Sequence, residues 1–276
     1  MLSADGMVKG ADMNIFKHEM KSNRKSLLIW SISMALLVIS GMGKYTAYTA
    51  GGDSSDIFDK MPHTMKALFG FSSFDVKTLS GFYAFLFTYI AITLAIHAVL
   101  LGNSIIAKEE RDKTTEFLMA KPVSRKAILT AKLLSAAINL LVLNAVTLIS
   151  SLLIVASFDG GSEITPVIVW LLISMLILQV LFLAFGALLA SIKKKTKATG
   201  SIASGMVIAA YFVAKITDLT DSLNFLNILS PFKYFSYPEI INGNGLNIII
   251  VVLTLLLSVF IIWGTYKFYA KRDLAV

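Results

Sequence analysis

The 276-residue chain contains no cysteine and only three histidines. Without thiols it can form no disulfide, no thiolate metal site and no cysteine nucleophile. His18, His63 and His97 are scattered, and no spacing places two imidazoles on one helical face to hold a metal. No nucleophile and base converge in the sequence pattern either. We therefore expect no catalytic site, no metal site and no enzyme activity in this chain.

Charged residues are also scarce, at 15% of the chain, whereas 56% of the residues are apolar. Six apolar runs suit a hydrocarbon core about 30 Å thick, crossed at about 1.5 Å per helical residue. We place them at 27–42, 82–107, 127–158, 166–192, 198–216 and 246–269. Strands would alternate between two faces and interrupt these runs, and lipid offers the backbone no hydrogen bonds. The sequence therefore predicts an all-α integral membrane protein with six transmembrane helices.

The basic residues are distributed unevenly around these runs. Of the 25 Lys and Arg residues, 19 lie in the segments 1–25, 108–132, 193–197 and 267–272, all on one side of the predicted bundle. The positive-inside rule makes that side cytoplasmic, so we expect a multi-pass protein of the plasma membrane with both termini in the cytoplasm. The net charge of +8 follows mostly from this asymmetry. Because the cations lie next to span ends and anionic lipid headgroups, we expect no binding of nucleic acid.

The segment before the first span is basic and has helical spacing. Phe16 and Met20 fall on one helical face, and Lys17, Lys21 and Arg24 fall on another. This pattern predicts an interfacial helix over 14–25, with its cations toward lipid phosphates. The alternative is a basic flank that only sets the orientation. Residues 1–13 show no periodicity and are predicted to be a flexible leader to a six-span domain over 14–276.

Several polar residues lie inside the predicted spans. Thr88 and Thr93 in the second span, with Asn139 and Asn144 in the third, could line a polar pathway or bond across helices. His97 is a functional candidate because an ionisable group in mid-span is costly. We favour the alternative, a neutral imidazole hydrogen-bonded to a neighbouring helix.

Two segments on the outer side have patterns of their own. In 43–81, Ile57, Met61, Met65 and Leu68 fall at helical spacing, which predicts an amphipathic helix lying on the outer face. The segment 217–245 is aromatic and predicts either a belt at the membrane surface or a pair of short helices dipping into the outer leaflet. Its aromatic residues are Phe225, Phe232, Tyr234, Phe235 and Tyr237.

No nucleotide-binding loop is present. The stretch from Gly41 to Thr46 has some features of a phosphate-binding loop, but Val38 stands where the first glycine is required. Tyr45 stands where Ser or Thr would reach magnesium. We expect no ATP hydrolysis by this chain.

A charged cassette separates the second and third spans and reads IIAKEERDKTTEFLMAKPVSRKAILTAK from Ile105 to Lys132. Asp112 or Thr114 can cap a short helix over 112–121, and Pro122 ends it. Glu109 and Glu110 suit its positive N-terminal end.

The predicted cassette helix carries an apolar centre. Phe117, Leu118 and Met119 are rimmed by charge, which is the layout of a protein interface. Ser124 is expected to cap the third span. The alternative is an ordinary cytoplasmic loop.

The order of residues in this cassette resembles the first cytoplasmic loop of type-2 ATP-binding-cassette (ABC) exporter permeases. The residues that match the family pattern are Glu109, Thr114, Glu116, Phe117, Leu118, Pro122, Ser124, Arg125 and Lys132. Lys113 stands where the family often has glycine, and Thr115 replaces a common leucine. The stretch from Leu229 to Phe235 also resembles the family.

The resemblance implies that 112–121 is a coupling helix that contacts an ATPase. The residues expected to couple are Glu109, Glu110, Asp112, Thr114, Glu116, Phe117, Leu118, Met119, Pro122 and Arg125. It further implies a second permease, either a copy or a paralogue, and two separate ABC ATPase subunits that hold ATP and Mg. No cofactor is expected on this chain itself, whose other partner is membrane lipid.

In the family, the aromatic residues of 217–245 would form an extracellular gate, and plain anchoring at the interface is the alternative. The expected function is ATP-driven export. A secondary carrier should instead have broken, charged helices in mid-membrane, and an intramembrane enzyme would need a nucleophile and a base. Relatives handle antimicrobial peptides, antibiotics, lipids and ions, so antimicrobial resistance is one expected role and the substrate stays open.

Overall fold

A computed structural model describes residues 4–50, 62, 65, 74–111, 123–193 and 198–271, with the backbone alone at 4–13, 47–50, 109, 111 and 221. These ranges contain helices and turns but no strand. The α-helices are α1 (Ala4–Ala50), α2 (Leu79–Arg111), α3 (Arg125–Val155), α4 (Thr165–Ile192), α5 (Thr199–Thr217), α6 (Tyr237–Ile241) and α7 (Ile248–Lys271). Two 3₁₀ segments, Asp221–Leu229 and Pro231–Lys233, lie between α5 and α6.

Six of these helices, all except α6, are long and apolar enough to cross a membrane. This confirms the six predicted spans and the all-α fold class. The third span ends at Val155 instead of residue 158, because turns begin at Ala156 and continue through Gly160, whose φ of 77° suits glycine. Pro166 lies in the first turn of α4, where its missing N–H removes no helical hydrogen bond.

The interfacial helix predicted over 14–25 is not a separate element. It is the N-terminal part of α1, a single helix of 47 residues. At about 1.5 Å per residue α1 is about 70 Å long, more than twice the hydrocarbon thickness of about 30 Å. The helix continues because residues 14–40 contain neither Gly nor Pro to break it. Its proximity to lipid headgroups stays a prediction.

Helices α2 and α4 form the centre of the bundle. They pack against each other more extensively than any other pair among the described helices. Gly102 and Gly186 allow this approach, since a Cβ at either position would overlap a carbonyl oxygen of the partner helix, at Leu183 and Val99 respectively. Around this centre α1, α5 and α7 expose large apolar side chains, as expected of surfaces that face lipid.

The bundle has two ends. The cassette end carries the last turn of α2, which ends at Arg111, and the start of α3 at Arg125. The far end carries the turns 156–164 and the aromatic segment 217–245. Of the four residues predicted to form an amphipathic outer helix, Met65 is exposed. The positions Ile57, Met61 and Leu68 lie outside the described residues.

Candidate functional site at the two ends of the bundle

The predicted coupling helix over 112–121 lies outside the described residues, and its role stays a prediction. The same holds for Asp112, Thr114, Glu116, Phe117, Leu118, Met119 and Pro122. Glu109 and Glu110 belong to the last turn of α2, where the side chain of Glu110 is half-buried. Both flanks of the cassette are described, and they show how it is attached to the bundle.

A buried ion cluster holds the flanks against α1. In this cluster, named here the Glu19 cluster, Glu19 of α1 lies between Lys108 of α2 and Lys132 of α3. The Lys108 Nζ is 3.3 Å from Glu19 Oε2, and the Lys132 Nζ is 3.8 Å from Glu19 Oε1. Lys108 also donates to the Ser22 hydroxyl at 2.7 Å. One carboxylate therefore connects three helices immediately beside the cassette.

Lys132 is the most deeply buried member of the Glu19 cluster. Its side chain is 1% exposed and that of Glu19 is 3% exposed. Its ammonium group also donates to the backbone carbonyl of Ile105 in α2. Losing one partner of a buried ion pair typically costs about 3–5 kcal/mol, because the other charge is left without compensation. The cluster therefore fastens the end of α2 and the first turns of α3 to α1.

The sequence reasoning did not identify Glu19 as a functional residue. In the sequence, Lys132 stands out only as part of the family pattern, and Lys108 is only one of the basic residues in the segment 108–132. A signal was nevertheless present, since Glu19 is the sole acidic residue between positions 13 and 52. It follows Ile15 by four positions, and both residues are buried on one face of α1.

Further contacts hold the start of α3. Ser124 caps it as predicted, its hydroxyl accepting a hydrogen bond from the Ala127 N–H at 3.2 Å. The guanidinium of Arg125 donates to the Ala270 carbonyl at the end of α7, at 3.2 Å. One turn later the hydroxyls of Thr130 and Tyr266 lie 2.7 Å apart. The cassette thus continues into α3, whose first turns are bound to α1 through Lys132 and to α7 through Arg125 and Thr130.

The residues predicted for the interfacial helix divide between two environments. Phe16 is partly buried against Ile128 and Ala131 of α3. Met20 is also partly buried, and its sulfur accepts a hydrogen bond from Asn139 Nδ2 at 3.6 Å. The cations Lys17, Lys21 and Arg24 are exposed. The contact of these cations with lipid phosphates stays a prediction.

The polar residues predicted to line a pathway lie in different surroundings. Asn144 of α3 bonds to Gln179 of α4, whose amide donates to the Leu94 carbonyl of α2 at 3.5 Å. Asn139 donates to the Ser135 carbonyl at 2.7 Å, and Thr93 donates to the Tyr89 carbonyl at 2.8 Å. The Asn144 bond matches the alternative of bonding across helices, and Gln179 is a partner that the sequence reasoning missed. A pathway through these residues stays a prediction.

His97 is buried in α2 against α1. Its ring meets Trp30 edge-on, with 5.1 Å between the ring centroids. Its Nδ1 has no hydrogen-bond partner within the described part of the chain. The contact of His97 with α1 is therefore aromatic, and the hydrogen bond that we expected to a neighbouring helix is not found at Nδ1 among the described residues.

A cavity of about 280 Å³, named here the far-end cavity, opens at the opposite end. Three of its lining residues are charged. Asp218 Oδ2 lies 3.1 Å from the Lys215 ammonium, and Asp218 Oδ1 pairs with Lys233. Thr88 of α2 also lines the far-end cavity. The other predicted pathway residues, Thr93, Asn139 and Asn144, are not among the described residues that line it.

Three of the aromatic residues predicted to form a gate line the far-end cavity, namely Phe232, Phe235 and Tyr237. Phe232 is buried and packs on Phe182, with 5.4 Å between the ring centroids. Tyr237 meets Phe87 edge-on at 5.3 Å. Burial raises the pKa of the Tyr237 hydroxyl, so this group stays a neutral donor.

The other two gate candidates have different surroundings. Tyr234 donates to the Ile228 carbonyl at 2.9 Å, and burial raises the pKa of its hydroxyl. Phe225 is 71% exposed on the first 3₁₀ segment. The structure thus brings three of the five residues to one cavity, and their role as a gate stays a prediction.

No curated protein shows significant similarity to the chain. A model of one protein family, described as ABC-2 family transporter protein, matches residues 13–274. The match covers nearly the whole chain, including all six spans, the Glu19 cluster and the far-end cavity. The chain therefore belongs to the ABC-2 transporter family and is the membrane permease subunit of an ABC transporter.

Proposed function

We propose that this permease exports its substrate with energy from ATP hydrolysis on separate cytoplasmic subunits. In this proposal it pairs with a second permease, either a copy or a paralogue, and with two ABC ATPases that hold ATP and Mg. Residues 112–121 form the coupling helix, and Phe117 and Leu118 enter a groove on the ATPase. Membership of the ABC-2 family supports the general arrangement.

The observation that carries the proposal is the attachment of both cassette flanks to the bundle. Lys108 at the end of α2 and Lys132 in α3 share the Glu19 carboxylate, while Arg125 and Thr130 connect α3 to α7. A displacement of the coupling helix would therefore move α1, α2, α3 and α7 together. Such rigid-body movement is a recognised way to couple distant sites.

The proposed orientation places the cassette end in the cytoplasm. This end joins the segments that contain 19 of the 25 Lys and Arg residues, as the positive-inside rule requires. Both termini are then cytoplasmic and the far-end cavity is extracellular. An ATP-independent carrier is less well supported, because α2, α3 and α4 are continuous helices, whereas many secondary carriers break helices near mid-membrane.

The experiment for the proposal is the double substitution Phe117→Asp/Leu118→Asp. The probe is the lone ABC ATPase that we expect a neighbouring gene to encode, co-expressed with the permease. Charges at two anchors of a desolvated contact should abolish co-purification of this ATPase, since losing even one anchor often costs above about 1–2 kcal/mol. ATPase activity in the membranes is measured alongside, and it should lose its dependence on the permease.

The control is Phe225→Asp, which places a single carboxylate on an exposed aromatic position at the far end. It should keep the ATPase bound. Normal co-purification of the ATPase with the Phe117→Asp/Leu118→Asp variant would refute the coupling-helix assignment.

A further inference from the structure

We propose that the far-end cavity and an adjoining apolar crevice together bind a monoanionic phosphate amphiphile, with its headgroup in the cavity and its apolar chain in the crevice. This inference goes beyond the proposed function, which leaves the ligand undefined. It concerns binding by the permease itself and needs no ATPase.

The described lining of the far-end cavity has a net positive charge. Its charged residues are Lys215, Lys233 and Asp218. The Asp218 carboxylate pairs with both ammonium groups, so this lining carries one positive charge in excess. Exposed fractions of 13%, 26% and 16% for Lys215, Lys233 and Asp218 show that water screens this charge only partly. An anion with one negative charge would balance it.

Two residues that line the far-end cavity have unused hydrogen-bonding capacity. One is Tyr237, whose buried hydroxyl has no partner among the residues described. The other is Asn227, whose side-chain oxygen is likewise buried without a partner in the described structure. A lone donor suits a phosphate oxygen, and a lone acceptor suits a hydroxyl group. A phosphate ester with a hydroxyl-bearing headgroup, such as glycerol phosphate, supplies both.

The apolar crevice has a volume of about 220 Å³. It lies between α4, α5 and the 3₁₀ segments and is lined by residues such as Phe185, Met206 and Leu229. Phe232 lines the charged cavity and packs on Phe182, which lines the crevice. The charged cavity and the apolar crevice thus lie on the two sides of one aromatic contact, so a headgroup and an apolar chain of one amphiphile would be held next to each other.

The excess positive charge of the cavity also predicts which amphiphiles bind best. A zwitterionic amphiphile of equal tail length carries a cation in its headgroup, which would be repelled by Lys215 and Lys233. A free phosphate ester without a tail would leave the crevice unfilled. The site should therefore prefer an anionic amphiphile over both.

The experiment measures lipid binding to the full-length purified permease in a nonionic detergent by native mass spectrometry. The probes are phosphatidylglycerol, phosphatidylcholine with the same acyl chains, and glycerol 3-phosphate, with lysophosphatidylglycerol as a single-chain anionic probe. We expect phosphatidylglycerol to bind at least fivefold more tightly than phosphatidylcholine. Glycerol 3-phosphate at equal concentration should not displace it, whereas lysophosphatidylglycerol should.

Lys233→Gln should reduce the preference for phosphatidylglycerol at least fivefold, and Lys233→Arg should retain it. The control Lys193→Gln removes an exposed lysine at the cassette end and should change nothing. Lys233→Gln should lose lipid selectivity in native mass spectrometry but still co-purify with the ATPase. The two measurements therefore distinguish failure of the lipid site from failure of the proposed coupling to the ATPase.

Equal binding of the two phospholipids, or unchanged selectivity in Lys233→Gln, would overturn the proposal. Displacement of phosphatidylglycerol by glycerol 3-phosphate would show a free-anion site and also overturn it. If Lys233→Gln does not fold, Tyr237→Phe takes its place, and an unchanged affinity for phosphatidylglycerol in that variant counts against the site.

Discussion

The substitution Glu19→Gln removes a carboxylate that joins α1, α2 and α3. It keeps the size of the side chain but takes a counter-charge away from Lys132, whose side chain is 1% exposed. The usual cost of breaking a buried ion pair is about 3–5 kcal/mol. Since Lys132 keeps the Ile105 carbonyl and Lys108 keeps the Ser22 hydroxyl, we expect the lower end, about 3 kcal/mol.

The assay is reversible unfolding of the purified permease in detergent. Lys17→Gln is the matched control, because Lys17 is exposed on the same helix and its loss should change the free energy of unfolding by less than about 0.5 kcal/mol. Glu19→Gln should also weaken the dependence of ATPase activity on the permease, since the attachment of the cassette flanks to α1 becomes weaker.

A double-mutant cycle with Lys132→Met tests the cause. Removing both charges removes the buried ammonium that has lost the Glu19 carboxylate, so Glu19→Gln/Lys132→Met should be more stable than the sum of the single effects predicts. Additive losses, or a cost below about 1 kcal/mol for Glu19→Gln, would refute the reasoning that the cluster is a coupled buried pair.

Three further predictions follow from the bundle itself. Gly186→Ala should destabilise the permease by about 1–3 kcal/mol in the same unfolding assay, because its Cβ meets the α2 backbone. Gly205→Ala meets no neighbour inside α5, so it should cause no loss of stability and, by raising helix propensity, can stabilise by up to about 1 kcal/mol. Asn144→Leu should cost about 0.6–2 kcal/mol through the lost bond to α4, and no measurable loss would contradict that role. Because the chain has no cysteine, Ser162→Cys should react with an impermeant thiol reagent in intact cells and Ala120→Cys should not; the reverse pattern would overturn the proposed orientation.

Features that depend on local sequence were predictable. The six spans follow from runs of apolar residues, because the length needed to cross hydrocarbon is set by the helical rise alone. The cap at Ser124 was predictable because its partner, the Ala127 N–H, is three residues away. The continuity of α1 was also readable from the absence of Gly and Pro over 14–40, although the basic pattern favoured a separate interfacial helix.

The contacts at both ends were not predictable in the same way. Because Glu19 lies in a segment rich in cations, its sequence context indicates a charge exposed to solvent. Its partners, Lys108 and Lys132, lie 89 and 113 positions further along the chain. Lys233 and Asp218 are separated by 15 residues that include the 3₁₀ segment Asp221–Leu229, so their pairing also needs the folded chain.

The sequence by itself determined that this protein has six membrane-spanning helices, because hydrophobicity and helical rise act within one segment at a time. The permease function was expected from the resemblance of the cassette to the family, not from hydrophobicity. Only the tertiary structure decided that Glu19, Lys108 and Lys132 form one cluster, and that Lys215, Asp218 and Lys233 share a cavity with aromatic side chains. The reason is that ion pairing and cavity shape depend on the distances between helices, which the packing of α1 on α3 and α2 on α4 sets.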